Sequence, residues 1–312
     1  MTGAKRVRVG TASWTDPTLT RHADWYPKRS MSAEARLRFY ASVFTVVEVD
    51  ATYYHPPTEH LAGLWVDRTP QDFRFDVKAY SLLTGHPTRP DSLWEDVAEA
   101  LPSEQAGKKS VYLEHLPADA QDRAFERFRE ALMPLHSAGK LGAVFFQFPQ
   151  WFTPRAENRA LLESLSTRLP DYQLAVEFRY GGWLDDRTAD RTLELLRAAG
   201  LAYVCVDEPQ GFTSSVPPVV AATADLAVLR MHGHNSDNWE RKGITAAERF
   251  RYLYSDRELR HWAKRLGPLT RTARETHVVF NNCYADYGVR NARQLAALVD
   301  DGLQPEAPDT RT

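Results

Sequence analysis

The sequence predicts an α/β protein of the (β/α)8 TIM-barrel class, on three observations. About eight short runs rich in β-branched and aromatic residues recur along the 312 residues. Segments with helical spacing separate most of these runs, and that alternation is typical of a parallel sheet. The first run lacks the glycine-rich phosphate turn of an open doubly wound sheet, since Gly10 is followed by Thr-Ala-Ser-Trp. We therefore expect eight strands that close into a barrel.

The predicted strands are short and apolar, as buried parallel strands are. They are VRVGT (7–11), FTVVEVD (44–50), FRFDVKAY (73–80), GAVFFQF (142–148), YQLAVEF (172–178), LAYVCVD (201–207), LAVLRMH (226–232) and HVVFNN (277–282). Helical spacing followed by a glycine or proline is clearest in residues 58–70, 188–200 and 291–302, and the last of these helices should end before Gly302.

Two connections are too long to be plain crossovers: residues 81–120 after strand 3 and residues 233–257 after strand 7. Loops of this length in a compact domain are usually lids or binding loops. Trp239 is the candidate lid residue of the second loop. We expect residues 1–302 to form a single barrel domain and residues 303–312 to form a disordered tail.

Composition narrows the class of protein and its compartment. The net charge of -2 provides no global basic field for nucleic acid. Two cysteines, Cys205 and Cys283, are too few for a disulfide framework or a zinc knuckle and indicate a reducing compartment. The N-terminus has no apolar signal region, and no apolar run is long enough to cross a bilayer. The sequence thus predicts a cytoplasmic protein that does not bind membranes, and it contains no signal for the oligomeric state.

Ionisable residues follow most of the predicted strands, where a barrel of this class carries its chemistry. Strand alternation predicts which of them face the axis: Leu174, Val176 and Phe178 should face the outer helices, whereas Glu177 and Arg179 should face inward. By the same parity we expect the inward set to include Glu48, Lys78, Asp207, Arg230 and His232.

These inward residues predict a site for a small anionic substrate. Glu177 and Asp207 would serve as acid and base, with Lys78 and His232 as further catalytic candidates. The candidates for substrate binding are Arg179, Arg230, Gln147, Asn281, Asn282, Tyr53, Trp14 and Trp183. The aromatic members suit sugar rings or nucleobases, or else they only seal the top of the barrel.

Eight motifs together resemble the YecE-like family, also called domain of unknown function 72. They are GTASW, VEVDATYY, FDVK, FQFPQWF, VEFRYGGW, RMHG, RFRYLYS and FNNCYADYGVRNA, in this order between about Val7 and Leu298. The resemblance implies a TIM barrel but no reaction. The family's recurrent motifs fall on Lys78, Gln147, Glu177, Arg179, Arg230, His232, Asn281 and Asn282.

Three functions remain open at this point. The first is a cofactor-free hydrolase or lyase that acts on a small anionic, sugar-like or nucleotide-like substrate. The second is a divalent-metal isomerase or nuclease of the same fold, for which Glu177, Asp207 and His232 would be the ligands. The third is a non-catalytic barrel that binds a ligand or nucleic acid. A purely structural ion pair between Glu177 and Arg179 is the competing interpretation of those two charges.

Overall fold

Eight parallel strands form a closed barrel in chain order in the computed structural model, which describes residues 6–22 and 24–302. The strands are β1 Arg6–Ala12, β2 Val46–Val49, β3 Arg74–Lys78, β4 Leu141–Gln147, β5 Leu174–Glu177, β6 Ala202–Asp207, β7 Leu226–Met231 and β8 Glu275–Phe280. The barrel closes because β1 pairs in parallel with both β2 and β8. The predicted TIM barrel is confirmed. The predicted tail, residues 303–312, lies outside the described residues.

The helices follow the strands and surround the barrel. They are α1 Pro17–His22, α2 Ala33–Val43, α3 Glu59–Asp67, α4 Glu95–Ala98, α5 Ser103–Ala106, α6 Ala118–Ser137, α7 Ala156–Arg168, α8 Ala189–Ala198, α9 Ala246–Arg249, α10 Asp256–Arg265, α11 Gly267–Thr272 and α12 Tyr287–Gly302. Side-chain caps begin several of them, as where Ser255 and Glu258 form a capping box at the start of α10. Gly302 is the last residue of α12 and does not follow it, which corrects the predicted end of that helix.

The alternation predicted for strand 5 is confirmed. Leu174 and Val176 are buried in the hydrophobic layer between barrel and helices, and Phe178 stacks there on Trp183 with ring centroids 4.6 Å apart. Glu177 points the other way and bonds inside the barrel. Each large apolar side chain buried in this layer stabilises the fold by about 1.5–3 kcal/mol.

The two long connections are also confirmed. Residues 79–117 include only short helical turns, α4, α5 and an isolated bridge between Thr88 and Val111. Residues 232–255 include only one 3-10 turn and α9. In addition, β6 runs to β7 through residues 208–225 without a helix. Among the described helices, none combines the length and the apolar composition needed to cross a membrane.

Candidate functional site

Arg230 ties three strands together at the C-terminal mouth of the barrel. Its Nε lies 2.9 Å from Oε2 of Glu48 and its Nη2 lies 2.7 Å from Oε1, a bidentate pair. Its Nη1 donates to Glu177. Arg230 is only 2% exposed, and all three of its guanidinium nitrogens donate to carboxylates. It therefore fixes the positions of Glu48 and Glu177 inside the barrel.

Glu177 is the centre of this network. It accepts hydrogen bonds from Gln147 Nε2 at 2.6 Å and pairs with Arg179 Nη2 at 2.7 Å as well as with Arg230. Burial by itself would raise the pKa of Glu177, but the charges of Arg179 and Arg230 hold that pKa well below 4.5. Glu177 is therefore ionised at neutral pH, and it forms the ion pair with Arg179 that the sequence suggested.

Glu208, like Glu177, forms an ion pair with Arg179, but its pKa is shifted in the opposite direction. Arg179 Nη1 lies 2.6 Å from Oε2 of Glu208, and the backbone N–H of Val216 donates to Oε1 at 2.8 Å. Burial nevertheless raises the pKa of Glu208 to about 7, against the charge of Arg179. Burial also raises the pKa of Glu48 to about 7, against Arg230 and Lys78.

His232 completes what we call the mouth cluster, namely Glu48, Glu177, Arg179, Glu208, Arg230 and His232. Its Nε2 lies 3.0 Å from Arg179 Nη2, and its Nδ1 lies 3.0 Å from the amide of Asn281. Burial, and then the charge of Arg179, lower the pKa of His232 to about 3. The imidazole is therefore neutral, and it takes part as a hydrogen-bonding group and not as a cation.

The loop after β7 covers this cluster with two aromatic rings. The Trp239 ring lies 5.4 Å from the guanidinium carbon of Arg179 and 6.0 Å from the ring of His232. Phe250 stacks on His232 at 5.6 Å. Both rings belong to the loop that the sequence predicted as a lid.

Lys78, at the end of β3, differs from the charged residues of the mouth cluster. Its Nζ lies 4.6 Å above the ring of Tyr53, and it makes no hydrogen bond or ion pair with any residue that the structure describes. Burial and the nearby charge of Arg230 lower the pKa of Lys78 to about 8. The mouth thus contains one ammonium group that the protein does not neutralise by direct contact.

A row of rings leads from Lys78 towards the surface. Tyr53 meets His86 edge-on at 5.2 Å, and His86 meets Trp151 at 5.7 Å. Trp151 is 55% exposed and borders a cavity of about 730 Å³ that Tyr112 also lines. An elongated ligand could therefore place one end at Lys78 and stack its body on these rings.

Asp207 does not join the mouth cluster, so the prediction that it shares the inward layer of Glu177 is wrong. Its Oδ2 accepts from Tyr254 Oη at 2.7 Å, and its Oδ1 lies 2.9 Å from His234 Nε2. These contacts lie on the outer side of the strands, next to a cavity of about 490 Å³.

Strand register explains the error. Val206 pairs with Arg230, and residues paired in register point to the same face of a parallel sheet. Val206 and then Glu208 therefore face inward, while Asp207 faces outward. The metal ligand set of Glu177, Asp207 and His232 is not brought together. Among the described residues, no three His, Cys, Asp or Glu side chains are arranged to hold a metal ion.

Three further predicted binding residues lie away from the mouth. Trp14 packs edge-on against Trp65 of α3 at 5.9 Å. Trp183 is 1% exposed and donates from Nε1 to a backbone carbonyl at 2.6 Å. Asn282 is buried and donates to the carbonyl of Tyr252. The structure brings the remaining predicted residues together at the mouth: Lys78, Gln147, Glu177, Arg179, Arg230, His232, Asn281 and Tyr53.

A second set of charges, which we call the floor cluster, fills the barrel towards the N-terminal ends of the strands: Arg8, Asp76, Glu275 and His277. His277 Nδ1 lies 2.9 Å from both carboxylate oxygens of Asp76, its Nε2 lies 3.3 Å from Glu275, and Arg8 donates to Glu275. Burial would lower the pKa of His277, but Asp76 and Glu275 raise it to about 9. Gly142 leaves the room that this cluster needs, since a Cβ there would come within 2.4 Å of Asp76 Oδ1.

Comparisons with known proteins agree with this architecture. The chain is 32% identical over 310 residues to the UPF0759 protein YunF of Bacillus subtilis, and the match covers 97% of this chain and 99% of YunF. The crystal structure of a DUF72 family protein from Thermotoga maritima superposes with a TM-score of 0.72 and 30% identity, and covers 95% of this chain and 99% of that one. A DUF72 family protein from Enterococcus faecalis gives a TM-score of 0.75 and 25% identity, covering 94% and 95%.

The family model described as protein of unknown function DUF72 matches residues 8–312, nearly the whole chain. The resemblance that the sequence motifs suggested is therefore confirmed, and the chain belongs to the DUF72 family.

Proposed function

We propose that this protein is a hydrolase or lyase that acts on a small anionic or sugar-like substrate at the mouth of the barrel. One observation carries the proposal: two carboxylates that share Arg179 have pKa values shifted in opposite directions, with Glu177 well below 4.5 and Glu208 at about 7. A pair of carboxylates separated in this way is how an active site assigns its acid and its fixed charge.

Glu208 is the candidate general acid. Its pKa near neutrality lets it hold a proton and release it at the pH of the cell, which acid catalysis requires. Glu177 is a poor base, because its pKa is low and its oxygens already accept from Gln147, Arg179 and Arg230. Its role is to stabilise positive charge that develops on the substrate.

The substrate would bind through groups that the protein leaves free. The Lys78 ammonium and Nε of Arg179 make no hydrogen bond with any described residue. Both can donate to a carboxylate or a phosphate. Gln147, whose side chain is partly exposed, adds an amide group that can contact hydroxyl groups. The loop that carries Trp239 excludes water from the cluster, which strengthens these contacts.

Proton NMR of defined substrate pools tests this function. Sugar phosphates, sugar acids and nucleotides are incubated in groups with the protein, and loss of any member is followed over time. We expect at least one member to be converted, and Glu208→Gln to slow that conversion by about 10²-fold or more. Asp225→Asn, a change in an exposed pair with Arg274, is the matched control and should have no effect. Binding of pool members without conversion of any of them would instead indicate a non-catalytic barrel.

A further inference from the structure

We propose that Lys78 is a nucleophile that forms a covalent imine with the carbonyl carbon of a small anionic aldehyde or ketone. This inference rests on the proposed function, because it names the substrate class and the covalent step of that same site. It also selects between hydrolase and lyase: an imine draws electrons from the neighbouring bond, which is the requirement of a carbon–carbon or elimination lyase.

The contacts of Lys78 are those of a nucleophile and not of a structural lysine. The buried Lys140 shows the structural case: its Nζ donates to the carbonyls of Val66 and Thr69, each at 2.6 Å. Within residues 6–22 and 24–302, the Nζ of Lys78 has the ring face of Tyr53 beneath it and no hydrogen-bond acceptor. An amine that attacks a carbonyl must have its lone pair free, and a lysine held by several acceptors cannot present one.

The protonation state of Lys78 also favours it as the nucleophile. The attacking amine must be neutral, and the pKa of Lys78 is lowered to about 8 by burial and by Arg230. About half of Lys78 is then neutral at pH 8, whereas less than about 1% of an exposed lysine is neutral there. A desolvated lysine beside a second cation is a recognised way of activating this nucleophile.

The step balances without an oxidant or reductant. The Nζ lone pair forms a bond to the carbonyl carbon, the π electrons move to oxygen, and a proton transfer gives a carbinolamine. The nitrogen lone pair then expels the hydroxyl group, which leaves as water after it takes a proton. The products are a protonated imine and one water molecule.

Two neighbouring side chains suit this step. Water supplies the proton that the leaving hydroxyl needs, since both oxygens of Glu48 on the adjacent strand β2 already accept from Arg230. Glu177, ionised and facing the same interior, stabilises the positive charge of the imine. The free Nε of Arg179 is available for the anionic end of the substrate.

Reductive trapping tests the proposal. The protein is incubated at about pH 8 with glyoxylate, pyruvate or dihydroxyacetone phosphate, and sodium cyanoborohydride is added to reduce any imine to a stable secondary amine. Intact mass and peptide mapping then locate the adduct. We expect one adduct per chain, on Lys78, formed about 100-fold faster than on exposed lysines because of the difference in neutral amine. Lys140 in the same sample is the internal control and should stay unmodified.

Two variants separate the outcomes. Lys78→Arg keeps the positive charge and should still bind the anions, but should give no adduct. Lys78→Met should give no adduct and should bind the anions more weakly, because Arg179 alone then holds them. Lactate and glycerol 3-phosphate, which carry no aldehyde or ketone group, should raise the melting temperature of the wild type and of Lys78→Arg. If these anions stabilise the wild type but no probe modifies Lys78, the imine is refuted and the anion site of the proposed function stands. If the anions also have no effect, that anion site fails as well. Adducts spread evenly over the exposed lysines would equally refute a nucleophilic Lys78.

Discussion

Charged side chains are paired differently at the two ends of the barrel interior. At the floor, His277 is a cation held between Asp76 and Glu275, and Arg8 pairs with Glu275 and Asp72. Every charge there has an opposite partner. At the mouth, His232 is neutral beside Arg179, two carboxylates have pKa values near 7, and Lys78 has no anionic partner in direct contact among the described residues.

The difference teaches how to separate a structural ionic network from a functional one. Burial does not distinguish the floor from the mouth, because most of the charged residues at both ends are buried. The distinguishing feature is Lys78, a cation at the mouth that forms no ion pair with any described residue. A chain that gains no stability from such a group keeps it for another reason, and ligand binding is the usual one.

The largest expected effect on stability comes from a substitution in the floor cluster. Asp76→Asn leaves protonated His277 with one carboxylate in a buried site, and we expect it to lower the free energy of unfolding by about 3–5 kcal/mol. The melting temperature should fall by about 10 °C in a chain of this size. Asp72→Asn, which alters a part-exposed pair, should cost less than about 1 kcal/mol. Stabilisation of the protein by lactate should be unchanged in Asp76→Asn, and its loss would show that the floor also serves binding.

The two histidines predict opposite responses to pH. The pKa of His277 is raised in the fold to about 9 from an ordinary value near 6.5, so its contribution is complete below about pH 6.5 and disappears as pH rises through 9. The stability difference between wild type and His277→Gln should therefore shrink by about 3 kcal/mol across that window.

The stability contribution of His232 has the opposite dependence on pH. Its pKa in the fold is about 3, so the unfolded chain takes up a proton below about pH 6.5 and the fold does not. The difference between wild type and His232→Gln should shrink as pH falls from about 6.5 towards 3. Urea unfolding at intervals of pH measures both, and parallel curves for the two variants would contradict the contrast.

The smallest effect concerns two indoles. Trp239, over the mouth, is buried with its Nε1 unpaired among the described residues, whereas Trp183, in the outer layer, donates its Nε1 to the carbonyl of Phe152. Trp239→Phe removes no hydrogen bond and should change the free energy of unfolding by less than Trp183→Phe does, with the latter losing about 1–3 kcal/mol. Chemical denaturation checks the order. A larger loss for Trp239→Phe would mean that its indole is structural.

Local patterns predicted the fold and about two thirds of the site. The periodicity of LAVEFR placed Glu177 inside the barrel, and the parity of strand 7 placed Arg230 there, so their contact could be anticipated. The prediction that Asp207 on strand 6 faces inward was wrong, because the facing of that strand follows from its register with strand 7. Val206 pairs with Arg230, and such pairing between strands cannot be read from one sequence. The signal for Glu208 was present only as a second carboxylate after the strand.

The predictions that Trp14 and Trp183 bind substrate were wrong for a related reason. Trp14 and Trp183 follow strands, as binding residues do, but their loops turn back into the layer between barrel and helices. The direction of a loop is decided by tertiary packing and has no period in the sequence. The unpaired state of Lys78 could not be predicted either, because it depends on every neighbour around the side chain.

The most direct test compares two lysines. Lys140→Met leaves the carbonyls of Val66 and Thr69 without their donor, whereas Lys78→Met removes a ring contact but no hydrogen bond or ion pair with a described residue. The free energy of unfolding at about pH 7 should fall by about 3 kcal/mol for Lys140→Met. It should change by less than about 1 kcal/mol, or rise, for Lys78→Met. An equal loss for both variants would show that Lys78 is structural and would contradict the assignment of the mouth as the functional end.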